Sequence, residues 1–365
     1  MDFNLTLTTL IAGGLLLLSF LKLSNAVQVN KKANKYFGVF VFLWASFWLD
    51  EMILPEEYNP YSPAILALRF IQFLVPLTFF LSVQFYTKPD FHYSFKDLRL
   101  LILPLIFLLL LFSNRYIPED LFKVIYISLI LSNSLFYTLL SYIKIKRHQR
   151  NIELFSSDTS SIDLRWLKYI IYSFIASAMI IIFYNILSKA DGLNVYINLC
   201  FLIIVYLVAF YSMRQQEIYP KGLNFEETIG DGHLADRGNN LERIKRLDVT
   251  ELNKLKEDLL KLMEDELPYL DSELNLFKLS DKLGISSHQL SYVLNEGFGE
   301  NFFNFVNKYR VEKAKELLTN PTYDHLNMVA IGYDAGFNSK TAFNTTFKKM
   351  TSLTPTEYKN IGSKQ

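Results

Sequence analysis

Cysteine is almost missing from this chain. Cys200 is the single one in 365 residues, which excludes an internal disulfide and a cysteine-based metal cluster. Histidine is scarce, and His92, His148, His233 and His325 stand without a second His, Cys or carboxylate at ligand spacing, so no metal is assigned. Catalytic signatures are absent too: there is no Gly-rich phosphate loop with its lysine, no G-x-S-x-G, no H-E-x-x-H and no kinase set. No cluster of titratable residues argues for an enzyme, and no cofactor is expected. Nor is there an excess of charge, because 37 basic residues against 36 acidic ones leave +1. That mean runs over two unlike halves and describes neither.

What the chain has in quantity is apolar surface. With 31 Phe and 22 Tyr and a positive mean hydropathy, it carries more apolar material than one soluble domain buries, concentrated before residue 213. A spanning helix needs about 20 apolar residues. Seven segments qualify, approximately Phe3 to Leu23, Tyr36 to Leu54, Pro63 to Tyr86, Leu98 to Phe112, Leu121 to Ile143, Leu167 to Ser188 and Asn194 to Met213. The fourth is short and contains Pro104, which neighbouring helices can accommodate. The first lacks the basic start and small-residue cleavage site of a signal peptide, so it is read as a helix of the mature protein. Lysine and arginine collect in alternate loops, around Lys31, Lys32 and Lys35, around Lys88, Lys96 and Arg99, from Lys144 to Lys168, and at Arg214 and Lys221. By the positive-inside rule those loops are cytoplasmic, which leaves the N-terminus outside and the C-terminus inside.

Charge within a bilayer is costly and often functional. Asp50, Glu51 and Arg69 lie where an ion pair between the second and third spans is feasible, either as an outward signal pocket or as a clamp between helices. Gln72, Gln84, Asn133, Asn185 and Asn198 are scattered further on. The loop after the fifth span starts with a basic cluster suited to anionic headgroups and continues as a polar, Ser-rich stretch. Past Gln216 the composition changes. Residues 217–240 contain Gly222, Gly230, Gly232 and Gly238 with mixed charges, and they read as a linker. In 241–268, Leu252, Leu255, Leu259 and Leu262 form a narrow stripe on an acidic helix, suited to a second copy in a short coiled coil or to docking on the domain that follows.

That domain, 269–365, contains one pattern twice. KLSDKLGISSHQLSYVL and MVAIGYDAGFNSKTAFNTTF each give a short apolar helix, a Gly-containing turn, a Ser cap and a second helix. Adding 53 to Ser286, Leu290 and Leu294 gives Ser339, Phe343 and Phe347, so cap and buried positions recur in register. The outward residues are Ser287, His288, Ser291, Tyr292 and Asn295 in the first unit, and Lys340, Thr341, Asn344, Thr345 and Lys348 in the second. Such side chains can meet base edges and phosphates. Between the units, Phe302, Phe305, Val306, Tyr309, Ala314, Leu317 and Leu318 have helical spacing up to the stop at Asn320 and Pro321. Thr354-Pro355-Thr356-Glu357 starts a last helix that Tyr358 packs down. From Asn275 onward, eleven basic residues, among them Arg310 and Lys349, against eight acidic ones give 11 − 8 = +3, which permits phosphate binding.

The run GFNSKTAFNTTFKK followed by LTPTEY, with KLSDKLGIS at its proper distance, resembles the C-terminal signature of the AraC/XylS family of bacterial transcription regulators over Leu274 to Tyr358. The chain departs from it at Thr345, where Arg is frequent, and at Ser352, where Gly is frequent. The resemblance implies two helix-turn-helix units that enter successive major grooves of double-stranded DNA roughly 34 Å apart. The combined expectation is an all-α protein: residues 1–216 a seven-helix transmembrane sensor in the cytoplasmic membrane, then the linker, the amphipathic helix and the DNA-binding domain. Its partners would be DNA, the lipid bilayer, an unknown small-molecule or envelope signal, and a second copy of the chain. The rival is a transporter or lipid-active enzyme with a regulatory C-terminal domain.

Overall fold

In the computed structural model the described residues are 3–26, 30–53, 62–89, 91–159, 162–187, 193–215 and 248–362. Their regular structure is helical, with one isolated backbone bridge and no strand among them. The chain divides into two compact units. The first is Met1–His148 with Leu164–Glu217, the second Gln149–Asp163 with Ile218–Gln365.

In the first unit the helices are α1 (Phe3–Leu23), α2 (Lys31–Ile53), α3 (Pro63–Phe73), α4 (Val75–Thr87), α5 (Ile102–Phe112), α6 (Glu119–Ile152, whose last turn belongs to the second unit), α7 (Arg165–Leu187) and α8 (Leu193–Met213). Among the described residues every predicted span is helical. The third is interrupted at Leu74, because Pro76 has no N–H to donate and disturbs the ladder around it. There the Asn133 amide of α6 donates to the Phe73 carbonyl at 2.9 Å, satisfying a backbone oxygen that the interruption leaves open. Among the described residues four helical stretches are long and apolar enough to cross a membrane: Phe3–Leu23, Pro63–Thr87, Glu119–Ile152 and Val195–Met213.

Arg69 donates to Asp50 at 2.8 Å and to Gln72 Oε1 at 2.9 Å, and the Gln72 amide donates to Asp50 at 3.0 Å. This triad ties α2 to α3 with each member satisfied. Asn198 similarly accepts from the Trp48 indole at 3.1 Å and donates to Asn4 at 2.9 Å. The side chains of Glu51 and Asn185, the linker 217–240 and the first residues of 241–268 lie outside the described residues.

In the second unit, α9 (Val249–Asp265) precedes α10 (Leu276–Leu283), α11 (Ser287–Tyr292), α12 (Phe302–Thr319), α13 (Met328–Asp334), α14 (Lys340–Thr351) and α15 (Pro355–Gly362). On α9, Leu259 and Met263 are buried, while Leu252, Leu255 and Leu262 are half-buried. Leu252 and Lys256 come within 3.6 Å of where a side chain at Gly297 would stand. The stripe therefore packs on its own domain. Helix α12 is the axle, and the spacing of its apolar residues understates its burial: Phe303, Asn307, Arg310 and Val311 are buried as well. Around its second half Val311, Ala314, Leu317, Leu318, Ile331, Phe337, Phe343 and Phe347 form one core, with Tyr358 of α15 against it.

Two left-handed positions have opposite consequences. Gly336 has φ +90°, and a Cβ there would stand 2.3 Å from the Tyr269 carbonyl oxygen, so glycine is required on both counts. Ser352, with φ +65°, ends α14 where glycine relieves strain of about 1 kcal/mol. The Ser352→Gly chain is expected to gain about 0.5–1 kcal/mol in the C-terminal unit, and Gly336→Ala to lose more than that. Urea titrations followed by helical circular dichroism measure both.

Candidate nucleic-acid interface

Short helices need their first N–H groups satisfied. In the first unit of the repeat, Asn275 accepts from Lys278 N–H to start α10, and Gly284 in the left-handed region ends it. Ser286 then accepts from Gln289 N–H while the Gln289 side chain accepts from Ser286 N–H, closing a capping box on α11. In the second unit, Asn327 caps α13, and Ser339 accepts from Ala342 N–H at 3.1 Å to start α14. The register of 53 holds, since Leu290, Phe343 and Phe347 are fully buried and Leu294 is 1% exposed. The two turns are not identical. Ile285 alone separates the first glycine from its cap, whereas Phe337 and Asn338 separate Gly336 from Ser339. The added residue places Phe337 in the core.

The predicted contact residues stand as follows. Ser287, His288, Ser291 and Tyr292 are half-buried on α11, and Asn344 is half-buried on α14, where Lys340, Thr341, Thr345 and Lys348 are exposed. Asn295 lies beyond the regular part of α11, on a wider turn over Val293–Gly297, and its amide donates to the Ser291 carbonyl at 2.8 Å. The neighbouring Thr346 faces inward.

Charge separates the surfaces more sharply than the net +3 does. Lys278, Lys282, Lys308, Lys313, Lys315, Lys349 and Lys359 each hold a carboxylate within 4.0 Å. Among the described residues from 275 to 362, Lys340 and Lys348 are the two lysines without an ion pair, and both stand on α14 at predicted contact positions. An unpaired ammonium can meet a phosphate without first leaving a partner.

Arg310 does not belong to that surface. It is 1% exposed, donates Nε to the Tyr269 carbonyl and a terminal nitrogen to the Asp271 carbonyl, both at 2.8 Å, and lies over the Phe337 ring. Burial pulls its pKa down to about 10, and the charges of Asp158 and Asp271 oppose that shift. It stays charged at neutral pH. Its work is to hold the segment at Tyr269 and Asp271 to the axle, so the count of basic residues available to phosphate falls by one.

A second feature joins residues far apart in the sequence. Residues of the loop after α6 are part of this unit. The Phe155 carbonyl accepts from Leu276 N–H at 2.9 Å, and the Glu153 carbonyl accepts from Phe303 N–H at 3.0 Å. The Ser157 hydroxyl donates to the Leu274 carbonyl at 2.6 Å, and the Asn307 amide donates to the Ser157 carbonyl at 2.8 Å. Glu153 pairs with Lys349 at 3.1 Å. Leu276 and Phe303 are first-turn residues of α10 and α12, so loop carbonyls satisfy two N–H groups that their helices leave open. The loop is read above as a headgroup-binding and topological element; the local signal available was Leu154-Phe155, an apolar pair in a polar run.

The fold and site thus define a double helix-turn-helix domain built on one central helix. Residues 279–361 match the family described as a helix-turn-helix domain, and this part of the chain is an AraC-type helix-turn-helix domain. Proteins named as uncharacterised HTH-type transcriptional regulators in Staphylococcus aureus strains COL and MSSA476 are 35% identical over 91 residues, 25% of this chain. The chain spans 12% of the length of those relatives. No solved structure matches it.

Phe343 fixes the second unit, packing on Phe337 and Phe347 at ring separations of 5.2 and 5.7 Å. Phe343→Ala is expected to cost about 3–5 kcal/mol, read as an earlier urea midpoint of the C-terminal unit.

Proposed function

We propose that this protein is a membrane-anchored bacterial transcription regulator that binds double-stranded DNA sequence-specifically through its two helix-turn-helix units. The observation that carries this reading is the repeated capped helix, with the two lysines that form no ion pair among the described residues from 275 to 362 on the predicted DNA face of α14. His288, Ser291 and Tyr292 read one major groove; Lys340, Thr341 and Asn344 read the next, on the same face of the duplex. Lys348 and Thr345 hold phosphates.

Residues 1–216 form a seven-span anchor in the cytoplasmic membrane, N-terminus outside and C-terminus in the cytoplasm. The alternation of basic loops supports this orientation. So does the grouping of residues 149–163 with the C-terminal unit. With α7 and α8 both crossing, two passages separate that loop from the C-terminus, which puts both in one compartment whatever the number of spans before it. The membrane part senses an envelope or lipid-soluble signal, with Asp50, Glu51 and Arg69 as the candidate pocket, and two copies of the chain occupy one operator.

Immunoprecipitation of crosslinked DNA tests the central reading: discrete genomic sites are expected, and recovery no better than from an untagged strain contradicts it. On a recovered site, Lys348→Ala should lower the slope of log K against log salt by about one, equally for matched and mismatched duplexes. Asn344→Ala should cost about 1–3 kcal/mol and relax preference at one base pair. A C-terminal reporter fusion should be active as a cytoplasmic fluorescent protein and silent as a periplasmic phosphatase.

A further inference from the structure

The loop residues 153–157 touch all three parts of the reader. Phe155, Ser156 and Ser157 meet Leu274, Asn275 and Leu276 at the start of the first helix-turn-helix unit. Glu153 and Ser157 meet Phe303 and Asn307 on the axle. Glu153 also meets Lys349 on α14 of the second unit. Two of these contacts are caps on helix starts, and a third occupies a lysine adjacent in sequence to one of the two free ones. This segment is covalently continuous with α6 on one side and leads into α7 on the other. It is therefore the shortest route by which movement of those helices reaches the reader, whereas the other connection runs through the long stretch before α9.

We propose that residues 153–157 are a clasp through which the membrane unit controls DNA binding: engaged, the clasp braces the two helix-turn-helix units in the relation that fits successive grooves, and withdrawn, it lets them slacken and release DNA. The proposal rests on the DNA-binding reading above and adds the point and sign of its control. The sign follows from the geometry. The clasp completes helix starts and bonds mainly to α10, the axle and the far end of α14, leaving the exposed Lys340, Thr341, Thr345 and Lys348 uncovered.

Ser156 and Asn275 face each other as an isolated antiparallel bridge. The Leu276 N–H to Phe155 carbonyl bond beside it marks the non-hydrogen-bonded position, where Cα atoms sit about 4.5 Å apart, within disulfide reach. The test uses the full chain in bilayer discs, carrying Cys200→Ser, Ser156→Cys and Asn275→Cys, and a duplex selected by the parent chain from a random pool. Oxidation should form the disulfide and leave affinity equal to or tighter than in the reduced protein. Phe155→Asp should weaken binding at least tenfold, and oxidising the cysteine pair in that background should restore it, which a merely misfolded domain would not allow. The milder pair Glu153→Gln and Ser157→Ala should weaken binding severalfold with the helical signal unchanged. The clasp is overturned if the disulfide does not form, if locking weakens binding, or if Phe155→Asp leaves affinity unchanged or is not rescued by the lock. A parent chain that retains no duplex at all overturns the DNA reading itself, and the clasp with it.

Discussion

The C-terminal unit depends on the satisfaction of helix N-termini. Helices of six to twelve residues such as α10, α11, α13, α14 and α15 are too short to persist alone, and the first N–H groups of each point outward without partners. Here helices begin on Asp248, Asn275, Ser286, Asn301, Asn327, Ser339 and Thr354, each with its side-chain oxygen accepting a backbone N–H. Each cap is worth about 1 kcal/mol. Together they set where every turn begins, and so which face of α11 and α14 is left to meet a partner. The buried aromatic stack of Phe337, Phe343 and Phe347 then fixes α14 against the axle.

Those features are local, which is why so much of the domain was legible in the sequence. A cap and its acceptor lie three residues apart, the buried positions repeat at helical spacing, and the register of 53 links the two copies. The same holds for the apolar spans, whose ends agree closely with α1 and α8, while α6 runs on from Ile143 to Ile152. Contacts between residues far apart leave no such period. The pairing of Ser157 with Leu274 joins positions 117 apart, and that of Glu153 with Lys349 joins positions 196 apart. Arg310 shows the same limit from the other side. An arginine in a charged helical run reads as solvated, and its burial follows only from the Tyr269 and Asp271 carbonyls arriving beside it. The Arg69 to Asp50 pair was visible because two charges in apolar spans have few other ways to be satisfied; the participation of Gln72 was not.

Ion pairing also gives the net charge its meaning. A surplus of three positive charges over the domain is small, and seven of its lysines, Lys349 of α14 among them, are engaged with carboxylates. Among the described residues from 275 to 362, the lysines left without a carboxylate partner are Lys340 and Lys348. Weak overall charge implies modest non-specific attraction to DNA, so on the proposed reading the two helix-turn-helix units on their shared axle, rather than bulk electrostatics, supply the grip. On that reading spacing is the quantity that matters, and the proposed clasp acts on it.

Hydroxyl-radical footprinting of the full chain in bilayer discs, on a duplex recovered from the genome, tests that claim most directly. Each bound chain is expected to give two protected patches on one face of the duplex, about one helical turn apart, the second of each pair lost in the Asn344→Ala chain while the first persists. A single patch, patches on opposite faces, or uniform protection along the duplex would contradict it.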